Sequence, residues 1–414
     1  MQQLKRMILV ASLLVFSLSA TVQADTILDG STDGGAFFRI VVPDNWNGDL
    51  VIWNHGFSLS PIGPVSDLGP LAGLQLGEGY ALAASSYQQF GWALFKTKND
   101  LQNLVNVFKA NFGVPGDVIV TGGSLGGIVT AQAIEKAQLG NVVGAYMICG
   151  AVAGSRTWDG AIDLRLLYDA VCDGVPGAAI PGGATGLPAP GFPFYPFSFT
   201  DMALAANECM GILFPPNFRS PGQQARLAQY LAVTTLPENF VLTDLGFGLF
   251  GMSDLIFNKS KLAGQQGLGN VGVTYSDPDL DESIERVAVN PGAANRLNKN
   301  YQPSGKVGDV KIVSIHTDGD GLVIIEHESE YQKVVDSGNL TVAVVDEAGN
   351  THCGFTDAEV IAGWESLRGW VATDVQPSAA YIQGVCQSLP AFLGPCRIDP
   401  SYVIGNFDDR VPLR

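Results

Sequence analysis

The sequence predicts a doubly wound, mostly parallel α/β sheet whose two halves are separated by one large insertion. Three observations carry this reading. Apolar runs without polar alternation recur between helical patterns, as happens where a parallel sheet is covered on both faces. Strand and helix patterns alternate before about residue 151 and again after about 305. Between those halves the rhythm breaks in a stretch rich in Pro, Gly and Phe. With 414 residues, the chain is long enough for one large domain with such an insertion.

The first half opens with two β-type runs, "AFFRIVV" (36–42) and "DLVIWN" (49–54), joined by the turn-rich "PDNWNG". "YALAASS" (80–86) is a third. A helix follows over 98–112, where Leu101, Leu104, Val105, Val107 and Phe108 recur at helical spacing. Strand "DVIVTG", a helix over 125–137 and strand "VVGAYMIC" (142–149) complete this half. "GVPGAAIPGGATGLPAPGFPFYPFSF" (174–199) is no regular sheet element, and helical-looking pieces follow, among them "SPGQQARLAQYLA" and the apolar "LTDLGFGLFGMSDLIF" (242–257). Sheet rhythm returns with "DVKIVSIH" (309–316), a helix near 326–336, strand "LTVAVVD" (340–346), and a helix from Thr356, where Thr356 and Glu359 form a capping-box pattern. The expected organisation is a sheet domain over 25–151 and 306–375, a cap insertion over 152–305, and a C-terminal extension over 376–414. No internal repeat occurs at a fixed period.

Residues 1–24 carry Lys5 and Arg6, then the apolar run "MILVASLLVFSLSA", then "VQA" at 22–24, the pattern of a secretory signal peptide cleaved after Ala24. The run is short for a spanning helix and no other stretch approaches the length, so a secreted or periplasmic protein without stable membrane insertion is expected. Six cysteines fit an oxidising compartment. Cys172 and Cys209 flank the proline-rich stretch, and Cys386 and Cys396 lie in the extension. Without CxxC or Cys/His clusters, no metal site is expected. The net charge of −17, from 40 acids and 23 bases, disfavours nucleic acid and anionic lipid as partners. Oligomeric state is not legible.

Gly122-Gly123-Ser124-Leu125-Gly126 places one serine between glycines where a strand gives way to a helix. At so sharp a turn bulky neighbours clash, and the hydroxyl stands above the sheet at a helix N-terminus that favours developing negative charge. A serine hydroxyl needs a base oriented by an acid. Of the four histidines, His352 lies in "EAGNTHCGFT", a loop at the carboxyl end of the last strand, where open α/β sheets build their sites. His316 reads as orienting the loop after its strand and His327 as a solvated helix residue, while His55 belongs to a tight His55-Gly56 turn that leads either into an oxyanion loop or, as the alternative, out of an ordinary strand with His55 satisfied structurally. The acid is expected from "HTDGDGLV", where Asp318 and Asp320 compete; Asp320 has the better register, with Leu322 and Val323 pinning the loop. Oxyanion donors are expected from the backbone N–H of Leu125 and of Phe57, after the tight His55-Gly56 turn.

"NHGFS", "GGSLGG", "HTDGDGLV" and "THCGFT", with the order Ser124, Asp320, His352, resemble the α/β-hydrolase superfamily over about 34–151 and 308–373. The opening "FRIVVPDNWNGDLVIWNHGFS" is similar to secreted bacterial hydrolases, mainly esterases. The resemblance implies a serine hydrolase that needs no cofactor and acts on small-molecule or polymeric esters. His352-Cys353 is also similar to tannase and feruloyl esterase relatives, in which a cysteine beside the nucleophile is bonded to one beside the histidine. Gly123 stands at that position here, so Cys149, at the end of the neighbouring strand, is the alternative partner for Cys353. "GFPFYPF" and "GFGLFGMSDLIF" in the insertion are candidates for lining an acyl or aryl pocket. Two readings compete with the esterase. One is an exported peptidase or amidase whose cap acids, such as Asp277, Asp279, Asp281 and Glu282, hold a free amino terminus. The other is a non-catalytic binding protein on the same scaffold.

Overall fold

Backbone hydrogen bonds gather nine strands into one sheet, ordered β1-β2-β4-β3-β5-β6-β7-β8-β9, in the computed structural model. The structure describes residues 25–60, 62–63, 66–185 and 197–414. The expected signal peptide and most of "GFPFYPF" lie outside the described residues. The strands are β1 (Thr26–Ser31), β2 (Phe37–Val42), β3 (Leu50–Asn54), β4 (Ala81–Ser85), β5 (Asp117–Gly123), β6 (Asn141–Ile148), β7 (Lys311–Thr317), β8 (Leu340–Val345) and β9 (Ile398–Asp399). From β4 through β3 to β8 all neighbours run parallel. β1, β2 and β9 add antiparallel edges.

The missing polar alternation has its cause in two layers of helix. In β5, Val118 and Val120 belong to the core on one face, with Leu101, Phe108 and Ile128 from helices Thr97–Phe112 and Leu125–Lys136. Ile119 points to the other, with Trp364 and Leu367 from helix Asp357–Thr373. Trp364 is fully buried, a contribution of about 2–3 kcal/mol from hydrophobic burial. That helix starts at the expected capping box, Thr356 with Glu359. It also lies tight on β6: a Cβ at Gly363 would fall 2.3 Å from the Tyr146 hydroxyl.

Two parts of the sheet exceed what the sequence predicts. β1, short, polar and largely exposed, carries too few apolar residues to signal a strand. Residues 376–414, expected as an extension, are built into the core. Helix Ala379–Ser388 packs on helix Asp357–Thr373, β9 covers the edge of β8, and the Cys386–Cys396 bridge closes this segment.

The insertion is helical. Ser198 and Ser220 each cap a helix with a full capping box, Phe199–Met210 and Pro221–Thr234, and Cys172–Cys209 ties the first of these to the end of helix Thr157–Val171. The glycine-rich "LTDLGFGLFG" is helical too, because glycine permits close crossing: a Cβ at Gly248 would sit 2.9 Å from the Ala161 carbonyl oxygen. Contrary to the expectation that no second stretch is long enough, Glu238–Phe257 would suffice by length and composition to cross a membrane, but 78% of its most apolar window is buried in the protein.

His327 corrects the expectation of a solvated residue. Helix His327–Gln332 is shorter than 326–336, and His327 is only 3% exposed. Its ring meets Phe407 edge-on at 5.2 Å, and Nδ1 accepts the Ala153 N–H at 3.2 Å. The covering residue, Phe407, comes from the C-terminal segment, which local periodicity cannot place. Burial, with the nearby His316, pushes the His327 pKa down from 6.5 to about 3. The folded chain therefore keeps this ring neutral while the unfolded chain takes up a proton below 6.5, so stability falls as pH drops from 6.5 toward 3. The full linkage is on the order of 5 kcal/mol. His327→Asn keeps an acceptor for Ala153 and is expected to flatten the acid limb in thermal melts between pH 7 and 4. An unchanged limb would put the acid sensitivity elsewhere.

Candidate active site

β5 ends at Gly123 and the chain turns at Ser124 with φ 56° and ψ −122°, outside the regions an L-residue adopts freely. Helix Leu125–Lys136 begins at the next residue. The turn is held by the Ser124 N–H donating to Ile148 O at 2.9 Å, and by Ser124 O accepting from Gly127 and Ala151 N–H at 2.9 and 3.1 Å. The need for glycine is steric. A Cβ at Gly122 would lie 2.2 Å from Gly126 O, one at Gly126 1.9 Å from Asn54 O, and one at Gly127 2.4 Å from Gly150 Cα. Each obstacle is backbone and cannot swing away. Gly126→Ala is accordingly expected to cost at least about 3 kcal/mol in denaturant unfolding, and a loss below about 1 kcal/mol would show that β3 and the helix can separate.

Ser124, Asp320 and His352, far apart in sequence, meet above the carboxyl ends of the strands. Asp320 lies in the loop after β7, 3% exposed. Its Oδ1 accepts the Leu322 and Val323 N–H, both at 3.0 Å, which is the pinning the register implied. Its Oδ2 faces His352 Nδ1 at 2.7 Å, and His352 Nε2 faces Ser124 Oγ at 2.8 Å. An acid at Nδ1 selects the tautomer that leaves Nε2 free to accept the serine proton. Asp318 is engaged elsewhere, with its Oδ1 accepting the Glu347 N–H at 2.8 Å.

The histidine loop is fixed from two sides. Glu347, which the sequence alone does not single out, accepts the Gly349 N–H at 3.0 Å and the Thr351 N–H at 2.7 Å. Cys353, next to the histidine, is bonded to Cys149 at the end of β6. This is the pairing expected once Gly123 excludes the alternative. His352 and these two cysteines lie close enough to suggest a metal site, but the sulfurs are bonded to each other. His55 is held structurally: it stacks on Tyr87 at 4.0 Å, and burial holds its pKa below the usual value. His316 is fully buried between Glu328 and the Val323 carbonyl, which ties β7 to the acid loop. Burial opposes its charge, but Glu328 outweighs this and its pKa is raised.

Leu125 is the first residue of its helix, so its N–H has no intrahelical acceptor. Phe57 follows Gly56, which lies against Ser124: a Cβ there would be 3.4 Å from Ser124 Cβ. Among the described residues neither N–H has an acceptor. Both residues line a cavity of ≈ 50 Å³ at Ser124, together with Trp92, Thr157, Phe247 and Leu322. Thr157, Phe247 and Leu322 also line a second cavity of ≈ 390 Å³ that reaches into the insertion. Of "GFGLFGMSDLIF", Phe247 thus reaches the pocket, stacked on Trp158 at 4.5 Å, while Leu249, Phe250 and Met252 are buried in the core. Asp277, Asp279, Asp281 and Glu282 line neither cavity. Asp277 caps helix Pro278–Ser283, and Asp281 pairs with Arg286 at 2.8 Å.

No family model and no curated protein matches the sequence. Among solved structures, the chain is similar to an esterase of Pyrococcus furiosus at 14% identity and a TM-score of 0.40, over 85% of this chain and 92% of that one. It is similar to lipase A of Candida antarctica at 12% identity and a TM-score of 0.43, over 95% and 89%. An acylaminoacyl peptidase of Pyrococcus horikoshii aligns at 13% identity and a TM-score of 0.40, over 80% of this chain and 38% of that one. The chain's own topology is the firmer ground. Eight strands in the order 1-2-4-3-5-6-7-8, a serine turn after the fifth, and acid and histidine loops after the seventh and eighth give this protein the α/β-hydrolase fold.

Proposed function

We propose that this protein is a serine hydrolase of carboxylic esters, exported from the cytoplasm, that works through an acyl-enzyme on Ser124. The observation that carries the reading is the unbroken chain of contacts from Asp320 Oδ2 to His352 Nδ1 at 2.7 Å and from His352 Nε2 to Ser124 Oγ at 2.8 Å. As Ser124 Oγ attacks the ester carbonyl, His352 Nε2 takes its proton and Asp320 steadies the resulting imidazolium. The N–H groups of Phe57 and Leu125 receive the oxyanion. His352 then protonates the departing alcohol, and water, deprotonated by the same ring, releases the acid. No metal or organic cofactor enters these steps.

The cap reading, too, has support: residues of the insertion line the pocket beside Ser124, offering a largely apolar wall to one arm of the ester. Three disulfides suit an oxidising compartment. Of the four acids considered for a peptidase, Asp277 is a helix cap and Asp281 is in an ion pair, and none lines the pocket, which favours the ester. Purified protein should therefore hydrolyse p-nitrophenyl esters, with an optimum acyl length, faster than aminoacyl p-nitroanilides. Faster anilide turnover would replace the esterase with an amidase, and failure to label with a fluorophosphonate would sink both.

A further inference from the structure

The larger cavity holds a polar group that the proposed mechanism does not use. Asp244, on helix Val241–Gly246, lines it and is 3% exposed. Among the described residues its carboxyl has no hydrogen-bond partner, and Oδ2 is fully enclosed. Of the other charged groups around this cavity, Asp163, Asp408 and Arg410 are paired, and Asp409 is exposed to solvent. Asp163 binds the Tyr275 hydroxyl at 2.6 Å and Arg414 at 2.5 Å. Asp408 pairs with Arg156 at 2.6 Å, and Arg410 with Glu326 at 3.1 Å. A second unpartnered buried atom, Thr157 Oγ1, belongs to a residue lining both cavities. A buried carboxyl without a partner is costly, so it marks either strain or a place for a ligand's polar group. Asp244 lies one helical turn before Phe247, which lines both cavities, so the carboxyl sits along the path away from Ser124.

We propose that Asp244 and Thr157 form a polar subsite for a hydroxyl group on the part of the ester that enters the larger cavity, so that hydroxyl-bearing esters are preferred to plain ones of equal length. This rests on the esterase reading above. Burial first, and then the neighbouring Asp320, hold the Asp244 carboxyl well above the usual carboxylate range. Both effects favour the protonated acid, which has one O–H to donate and a carbonyl oxygen to accept. A hydroxyl has the same double capacity. An ammonium group would require the charged form, which Asp320 opposes.

The test is a paired substrate series. One arm compares p-nitrophenyl alkanoates with their hydroxyalkanoate counterparts, moving the hydroxyl along the chain. The other compares butyrate esters of simple alcohols with those of diols. In one arm, at one hydroxyl position, kcat/KM is expected to be about 5–10-fold above the plain ester, as one neutral buried hydrogen bond allows. Asp244→Leu should bring that ratio to about one, and Asp244→Asn, which still donates and accepts, should retain most of it. Because Leu removes an unpaired buried carboxyl, its thermal midpoint should not fall, and Asn provides a second folded variant if it does. A ratio that stays flat at every position in both arms overturns the subsite while leaving the esterase standing. So does an equal ratio in wild type and Asp244→Leu, including the case where both substrates share one shifted pH profile and Asp244 acts only through Asp320. A clear preference for aminoalkanoate over hydroxyalkanoate esters makes the subsite a cation site and overturns this assignment. If no ester is turned over at all, the esterase reading fails and the subsite with it.

Discussion

Ser124→Ala is expected to lower kcat on a p-nitrophenyl ester by about 10⁶-fold, and His352→Ala by nearly as much. The double variant should be no worse than either. Serine and histidine share one proton transfer, so losing either partner removes the whole step and the effects cannot add. The 2.8 Å contact between His352 Nε2 and Ser124 Oγ makes that coupling direct, with no water between them. What remains in the variants comes from the Phe57 and Leu125 N–H groups and from pocket binding, so residual turnover should still exceed that in buffer. Burst kinetics give an independent reading. The wild type should release up to one p-nitrophenol per active site before its steady rate, and Ser124→Ala none. A Ser124→Ala protein that kept its burst would move the nucleophile elsewhere.

The elements around this serine are legible in the sequence because their causes are local. β-Branched runs buried on both faces declare a parallel strand, and a serine among glycines at a strand end declares a turn with no room for side chains. The clash at Gly126, 1.9 Å from Asn54 O, is the physical content of that pattern. The Asp320 loop is legible for the same reason, since its two N–H donors, Leu322 and Val323, follow within three residues. The Cys149–Cys353 bridge is suggested by the family resemblance at His352-Cys353, together with the place of Cys149 at the end of the neighbouring strand.

What stays hidden depends on distant chain. His327 has the neighbours of a surface helix in sequence, and its burial involves distant chain, Phe407 80 positions later and Ala153 174 positions earlier. Residues 376–414 look like an appendage until β8 is seen to offer an open edge, which β9 takes. Glu347 gives no signal as a loop acid, because its partners are backbone N–H groups whose direction is set by the turn itself. Asp244 sits in an apolar helix and becomes conspicuous only through its missing partner. In each case the sequence carries the residue but not the surface it meets.

Asp320→Asn should lower kcat by about 10⁴-fold, whereas Asp318→Asn should stay within about threefold of wild type. The two acids stand two residues apart, so the pair of variants discriminates sharply between roles. In Asp320→Asn the side-chain oxygen can still accept the Leu322 and Val323 N–H groups, so the loop keeps its shape. The amide NH₂ then faces His352 Nδ1 and donates to it, which drives the ring proton onto Nε2. A protonated Nε2 points its hydrogen at Ser124 Oγ and cannot act as its base. The loss therefore falls on kcat, with KM little changed, because the pocket of Phe57, Trp92 and Phe247 is untouched. Asp318 contributes one acceptor, Oδ1, to the Glu347 N–H, and asparagine supplies the same oxygen. Both variants should melt within a few degrees of wild type, so that a collapse of kcat in Asp320→Asn reports chemistry rather than unfolding. If Asp318→Asn lost the activity and Asp320→Asn kept it, the acid would have to be reassigned across the loop, and the 2.7 Å contact at His352 Nδ1 would be structural only.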